Sequence, residues 1–215
     1  IRYDNTNWFS FDLETTNFSK GDASDIRNRI VYGFGISPKY GAISFYDLRD
    51  IFSLLETSDF IICHGGKFEI KWLIRIGYPV EKLLLYDTLL GDYVRSGNRG
   101  WALDLDSVSK RYGGKGKSFL VANLIHDGVC PSEIPESLIQ EYCQQDVTET
   151  ISIFRIQQPL LVEEGLAKVH YLRCLTTPVL ADMEMSGLHL DKGLVEKIYT
   201  DYSAEYRIVA DKLAK

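Results

Sequence analysis

Residues 8 to 16 read WFSFDLETT, an apolar run that ends in two carboxylates one residue apart. Aromatic residues favour an extended strand, and residues i and i+2 of a strand share a face. Asp12 and Glu14 should therefore project side by side. Two like charges this close repel each other unless a cation lies between them, so the stretch predicts either a solvated strand edge or half of a metal site.

Two more segments with strand character follow, RIVYGFGI (29–36) and GAISFY (41–46). Gly, Pro and Asn separate the three segments, which predicts an opening meander. Strand and helix then alternate, as in α/β folds. The alternating segments are DFIICHG as a strand, KFEIKWLIRIG as a helix, KLLLYD as a strand and TLLGDYVRSG as a helix.

The C-terminal third has no strand signal and predicts three helices, at about 136–158, 160–186 and 191–214. The last two are expected to form a separate helical unit. We place a domain boundary near Pro159, between a first domain at 1–158 and a helical segment at 159–215. Two helices make a poor independent core, so this segment should begin a domain that continues past Lys215.

The bulk composition argues against several classes of protein. The chain has 215 residues, 45% of them hydrophobic, which suffices for one domain and part of another. A net charge of -6 argues against bulk electrostatic binding of nucleic acid, although cations bound at clustered carboxylates would reverse the local field. The four cysteines include no CxxC pair, which argues against a zinc knuckle or a disulfide framework and favours a reducing compartment.

Targeting signals are also missing from the sequence. No run of about 18 apolar residues occurs, and the N-terminus lacks a signal-peptide pattern, so we expect a soluble chain without a membrane partner. The chain begins with Ile1 rather than Met, which favours a fragment. The expected compartment is the cytoplasm, with an organelle as the alternative because we expect the N-terminus to be truncated.

Further acids follow at spacings that suit the same site. In QEYCQQD, Tyr142 and Asp146 stand four apart in a predicted helix and share a face. Glu69 falls in the first turn of the helix that follows the DFIIC strand. Each residue has an ordinary interpretation, as a core aromatic or a dipole-favoured helix acid. The order of strand DxE, strand-to-helix acid and helical YxxxD is more specific than its parts.

These motifs resemble those of the DEDDy class of 3'–5' exonucleases in the ribonuclease H-like superfamily. FDLET is similar to the first motif, HGGKFE to the second and YCQQD to the third, and the resemblance covers about residues 7–158. It implies a mixed sheet flanked by helices. The segment PVLADMEMSGLHLD is similar to the start of the polymerase domain of family A DNA polymerases. Together they indicate the proofreading part of such an enzyme, with a phage as one expected source and the host cytoplasm as its compartment.

The resemblance implies phosphodiester hydrolysis with two divalent cations, Mg or Mn, and five catalytic residues. Asp12 would bridge both ions. Glu14 and Asp146 would complete the first ion site, and Glu69 would serve the second directly or through water. Tyr142 would orient the attacking water and help to remove its proton.

Other residues are expected beside this site. Asp87 stands where the class often has a supporting Asp outside the metal ligands. His64 is expected to be a hydrogen-bonded strand-end histidine rather than a ligand, because the site is rich in oxygen. Residues 110–117, KRYGGKGK, are typical either of a loop that binds single-stranded DNA or of a solvated turn. Phe68 is four residues before Trp72, which favours core packing. The expected substrate contacts are Thr15, His64, Phe68, Lys115 and Lys117.

Two positions depart from the family pattern HNxxFD. Gly65 replaces Asn, and Glu69, one methylene longer, replaces Asp. We therefore expect a weakly held second metal and higher activity in manganese.

The sequence is consistent with three functions. The first is a 3'–5' exonuclease acting on the 3' end of single-stranded DNA, with the remainder of a polymerase chain as its partner. The second is an RNA 3'-end trimming nuclease with the same residues. The third is a catalytically weakened module that still binds single strands.

Overall fold

A five-stranded mixed sheet forms the centre of the computed structural model, which describes residue 3 and residues 7–18, 25–97, 99–116 and 119–214. The strand order is β3-β2-β1-β4-β5. The strands are β1 (Trp8–Thr15), β2 (Ile30–Ser37), β3 (Gly41–Phe45), β4 (Phe60–Cys63) and β5 (Leu85–Asp87). Strand β2 is antiparallel to its neighbours β1 and β3, whereas β4 runs parallel to both β1 and β5. The predicted meander and the α/β class are confirmed.

Eight α-helices accompany the sheet in the described parts of the chain. They are α1 (Phe52–Thr57), α2 (Lys67–Arg75), α3 (Thr88–Ser96), α4 (Leu105–Arg111), α5 (Phe119–His126), α6 (Glu136–Glu163), α7 (Ala167–Ser186) and α8 (Lys192–Leu213). The helices predicted after β4 and β5 are confirmed as α2 and α3. The short helices α1, α4 and α5 were not predicted.

Strand β1 is buried on both faces, and its side chains alternate between two parts of the core. Phe9, Phe11 and Leu13 form one face of the strand, and they belong to the core cluster that includes residues of α2. Trp8 lies on the opposite face, where its ring meets that of Phe154 from α6 at a centroid distance of 6.5 Å. By the same alternation, Asp12 and Glu14 project toward α6, as predicted from their spacing.

Helix α6 does not end at the proline. It continues through Pro159 to Glu163, and Gly165 adopts a left-handed backbone with φ of 71° in the turn that follows. The helix boundary predicted at Pro159 was therefore wrong. Leu161, beyond the proline, is almost fully buried, and this burial offsets the one backbone hydrogen bond that a proline removes.

The chain forms two compact units, Ile1–Met185 and Ser186–Lys215. Helix α7, up to Met185, belongs to the first unit and contributes Cys174 and Ala181 to the core beside β1. The division into an exonuclease domain at 1–158 and a polymerase segment at 159–215 stays a prediction.

The second unit contains helix α8. Asp191 caps its N-terminus by accepting a hydrogen bond from the Leu194 amide at 3.0 Å, and Gly187 has a φ of 68°, as expected for the turn between the last two helices. Among the residues that the structure describes, no helix is both long enough and apolar enough to cross a bilayer.

Candidate active site

The carboxyl ends of three parallel strands meet at one edge of the sheet. The pairing of β1 with β4 stops at Ser10 and Ile62, so Asp12 and Glu14 lie just beyond it. The chain leaves β4 through His64 toward α2, and β5 ends at Asp87. In open α/β sheets, the crevice at the carboxyl ends of diverging strands is the usual place for a ligand.

Helix α6 brings a cysteine directly against the two acids of β1. The Cys143 Sγ lies 3.5 Å from the backbone oxygen of Asp12 and 3.6 Å from its Oδ2. One ligand atom each from Asp12, Glu14 and Cys143 lie within 4.8 Å of one another. The predicted approach of Asp12 and Glu14 is therefore confirmed, and Cys143 is a neighbour that the sequence did not reveal.

Asp146 and Tyr142 face the same region from α6. Both are almost fully buried, at 4% and 6% exposure. Burial raises the pKa of the Cys143 thiol well above its ordinary value, and the charges of Asp12, Glu14 and Asp146 raise it further. The charge of Asp146 thus acts on the same thiol as the two acids of β1.

Glu69 enters from the first turn of α2 and is 3% exposed. Its Oε2 is buried and has no hydrogen-bond partner among the described residues. Burial raises the pKa of Glu69 well above its usual range, and the nearby charges of Asp12, Asp87 and Glu14 raise it further. A buried carboxylate oxygen in this state needs a proton or a cation.

Asp87 joins the loop that carries the second motif to the start of α3. It caps α3 by accepting from the Leu89 and Leu90 amides, and it accepts from the Gly65 and Gly66 amides at 3.0 and 2.9 Å. Burial raises the pKa of this carboxyl while the four backbone bonds oppose that shift. Gly65 has φ of 75°, a left-handed conformation that Gly and Asn adopt most readily. This accounts for a glycine where the resemblance expects Asn.

Replacing Asp87 with Ala should lower the free energy of unfolding by about 2–4 kcal/mol, because it removes a helix cap and leaves buried amides unsatisfied. Asp104→Ala is the matched control. That carboxylate caps α4 in an exposed position through the Ser107 amide, and its loss should cost about 1 kcal/mol. Urea unfolding of both variants measures the difference. Equal losses would contradict the bracing role of Asp87.

The remaining predicted substrate residues lie around this edge of the sheet. His64 uses both ring nitrogens, with Nδ1 2.9 Å from the Thr88 hydroxyl and Nε2 2.9 Å from the Leu103 carbonyl, as expected for a hydrogen-bonded strand-end histidine. Phe68 is half-buried and packs edge-on against Trp72 at a centroid distance of 6.4 Å. Thr15 is half-buried at the end of β1. Their contacts with a substrate stay predictions.

The basic stretch 110–117 is only partly a loop. Lys110 and Arg111 belong to α4, where they pair with Asp106 and Asp92. Lys115 is exposed and lines an open groove of about 680 Å³ along α6. Lys117 lies outside the described residues.

The donor set fits hard divalent cations. Two carboxylates of β1 lie within 4.8 Å of each other, the buried Oε2 of Glu69 lacks a hydrogen-bond partner among the described residues, and Mg and Mn prefer carboxylate oxygen. The residues that would hold such ions are Asp12, Glu14, Glu69 and Asp146. All four cysteines are free, as predicted.

Comparison with known proteins gives one sequence relative that is far longer than this chain. No protein-family model matches the chain. It is 27% identical over 174 residues to a DNA polymerase of Bacillus phage SP01, and the match covers 74% of this chain and 18% of that polymerase. The chain therefore spans less than a fifth of the length of that relative.

Solved structures share the fold at low sequence identity. NrnC of Brucella melitensis with bound Mg²⁺ superposes with a TM-score of 0.63 at 16% identity, covering 85% of this chain and 87% of that one. Another structure of NrnC is bound to pGG. The family B DNA polymerase of Pyrobaculum calidifontis gives 0.58 at 14% identity, covering 81% and 27%. The chain thus shares the fold of these proteins, which is the mixed sheet flanked by helices that the sequence predicts.

Proposed function

We propose that the chain is a metal-dependent 3'–5' exonuclease domain that removes nucleotides from the 3' end of DNA. The observation that carries this proposal is the close approach of Asp12 and Glu14 at the carboxyl end of β1, with Glu69 near enough for their charges to act on it and Asp146 on the facing helix α6. Such a set of acids is costly unless cations neutralise it. The fold and the phage polymerase relative are consistent with a nuclease that belongs to a longer chain.

Each of the proposed site residues has its own role in the hydrolysis. Two divalent cations, when bound, would stabilise the attacking and the leaving oxygen of the phosphodiester. Asp12 reaches both parts of the site, because it lies beside Cys143 on one side and its charge acts on Glu69 on the other. Glu14 and Asp146 hold the side near α6, and Glu69 holds the side near α2. Tyr142 accepts a hydrogen bond from the attacking water and orients it.

Tyr142→Phe should slow hydrolysis by about 10- to 1,000-fold, because the variant loses one positioned hydroxyl while the metal ligands stay in place. Single-turnover rates at saturating metal measure the effect. Tyr93→Phe, an exposed tyrosine on α3, is the control and should keep the wild-type rate. A wild-type rate for Tyr142→Phe would make this residue a core aromatic only.

RNA trimming is the second candidate for the substrate. It is favoured by the likeness to NrnC, which covers 85% of this chain and 87% of that one, whereas the polymerases match over a small part of their length. Rates on single-stranded DNA and RNA of the same sequence separate the two. We expect faster hydrolysis of DNA. Tight binding without hydrolysis of either strand would instead support the weakened binding module.

The proofreading role within a family A polymerase belongs to the same proposal. It rests on the resemblance of residues 178–191 to the start of such a polymerase domain and on the length of the phage relative. The test uses a primer with a paired or a mispaired 3' end. We expect faster removal of the mispaired nucleotide, and equal rates would contradict proofreading.

A further inference from the structure

Cys143 is a sulfur ligand placed among oxygen ligands. Its side chain is fully buried, and its Sγ lies 3.6 Å from Asp12 Oδ2. One oxygen of Glu14 completes a group of three ligand atoms that lie within 4.8 Å of one another. The thiol does not serve the hydrolysis proposed above, so its position needs another chemical consequence.

A second observation indicates that a cation belongs at this place. The buried Glu69 Oε2 has no hydrogen-bond partner within the described part of the chain, and Asp12 and Glu14 are both near enough for their charges to act on it. A buried carboxylate in this state is stabilised by a positive charge, and none of the described residues donates a hydrogen bond to this oxygen.

The distance between sulfur and oxygen fits a tetrahedral ion of the zinc class. With bonds of about 2.3 Å to sulfur and 2.1 Å to oxygen, two ligand atoms of a tetrahedral site are about 3.6 Å apart. The distance between Cys143 Sγ and Asp12 Oδ2 is 3.6 Å before any ion is bound. Thiolates select zinc and cadmium, whereas magnesium and manganese prefer oxygen.

We propose that Asp12, Glu14 and Cys143 form a binding site for a thiophilic divalent ion, zinc or cadmium, which competes with magnesium or manganese and inhibits the nuclease. On binding, the S–H bond is replaced by a sulfur–metal bond, and the proton passes to solvent. The ion then holds the two carboxylates that hydrolysis requires. The binding site stands on its own geometry, and only its inhibitory effect rests on the proposed function.

Cadmium titration of the whole chain, followed by the ultraviolet absorption of the sulfur–cadmium bond, tests the site directly. Wild type should develop this absorption to one equivalent, and Cys143→Ser should lose it. Cys130→Ser, which removes a half-buried thiol that is hydrogen-bonded to Ser132, should behave as wild type. An unchanged absorption in Cys143→Ser, or none in wild type, would overturn the site.

If Cys143→Ser does not fold, competition between manganese and cadmium on the wild-type chain still tests the site. Excess manganese should reduce the cadmium absorption of the wild-type chain, because both ions need Asp12 and Glu14. Absorption that manganese leaves unchanged would place the cadmium at another cysteine and overturn the proposal.

Zinc inhibition of single-stranded DNA hydrolysis in saturating magnesium tests the consequence. Each variant is compared with its own zinc-free rate. Cys143→Ser should need at least about tenfold more zinc for half-inhibition, in line with the cost of losing an interaction that supports a metal. Equal sensitivity would overturn the inhibitory role. A wild-type chain that binds cadmium but hydrolyses neither DNA nor RNA would contradict the proposed function and leave the binding site supported.

Discussion

Replacing Asp12 with Asn should lower metal-dependent hydrolysis by about a thousandfold or more. The side chain lies beside Cys143, and its charge acts on Glu69. Removing its charge weakens the binding of both cations. The transition state then loses several kilocalories per mole of charge stabilisation, which corresponds to a loss of at least about three powers of ten in rate. Single-turnover hydrolysis of end-labelled DNA measures the loss.

The same substitution should stabilise the metal-free protein. Without cations, Asp12 repels Glu14 and Glu69, so Asp12→Asn should raise the unfolding midpoint in EDTA by about 2–4 °C, which corresponds to about 1 kcal/mol for a chain of this size. Asp59→Asn is the control, because this exposed carboxylate precedes β4 away from the site. A less stable, inactive Asp12→Asn would indicate a damaged fold rather than a lost ligand.

Glu69→Gln should reduce magnesium-dependent hydrolysis by about a hundredfold or more, because the amide keeps the shape of the side chain but cannot neutralise a cation. Its buried Oε2 has no hydrogen-bond partner among the described residues. The rate should be measured at increasing magnesium. Glu81→Gln, an exposed acid after α2, serves as the control and should keep the wild-type rate.

Manganese should support faster hydrolysis by the wild-type chain than magnesium does. Glu69 is longer than the Asp expected from the resemblance, and manganese is assumed to tolerate a displaced oxygen ligand better than magnesium, which demands near-ideal octahedral geometry. The preference should disappear in Glu69→Gln if it arises at this ligand. A Glu69→Gln rate within threefold of wild type in magnesium would show that Glu69 is not a metal ligand.

The strands of the sheet and the approach of the two acids of β1 could be predicted from local pattern alone. The period-2 spacing of Asp12 and Glu14 fixes their shared face, and the glycine-rich turns fix the meander. The position of Glu69 in the first turn of a helix could also be predicted, because an apolar strand ends shortly before it. In each case the decisive interaction is local in sequence.

Tertiary packing decided the places where sequence reasoning failed. Pro159 is a strong local signal for a helix end, yet burial of the residues beyond it carries α6 onward to Glu163. Lys110 and Arg111 were read as part of a loop because of the glycines after them. In the structure both residues belong to α4, where Lys110 pairs with Asp106 and Arg111 pairs with Asp92.

Cys143 was missed because its significance depends on a contact across 131 residues. A cysteine without a nearby second cysteine or histidine gives no spacing signal for a metal. The available signal was helical: Cys143 precedes Asp146 by three residues and therefore shares its face of α6. Only the packing of α6 against β1 brings its sulfur to the acids.

The most direct test of a 3'–5' exonuclease site built on these carboxylates is the length distribution of a 5'-labelled single-stranded DNA incubated with the chain. With magnesium or manganese, we predict a ladder that shortens one nucleotide at a time from the 3' end. The ladder should be absent in EDTA and with Asp12→Asn. An intact strand in the presence of metal, or a ladder that persists with Asp12→Asn, would contradict the account.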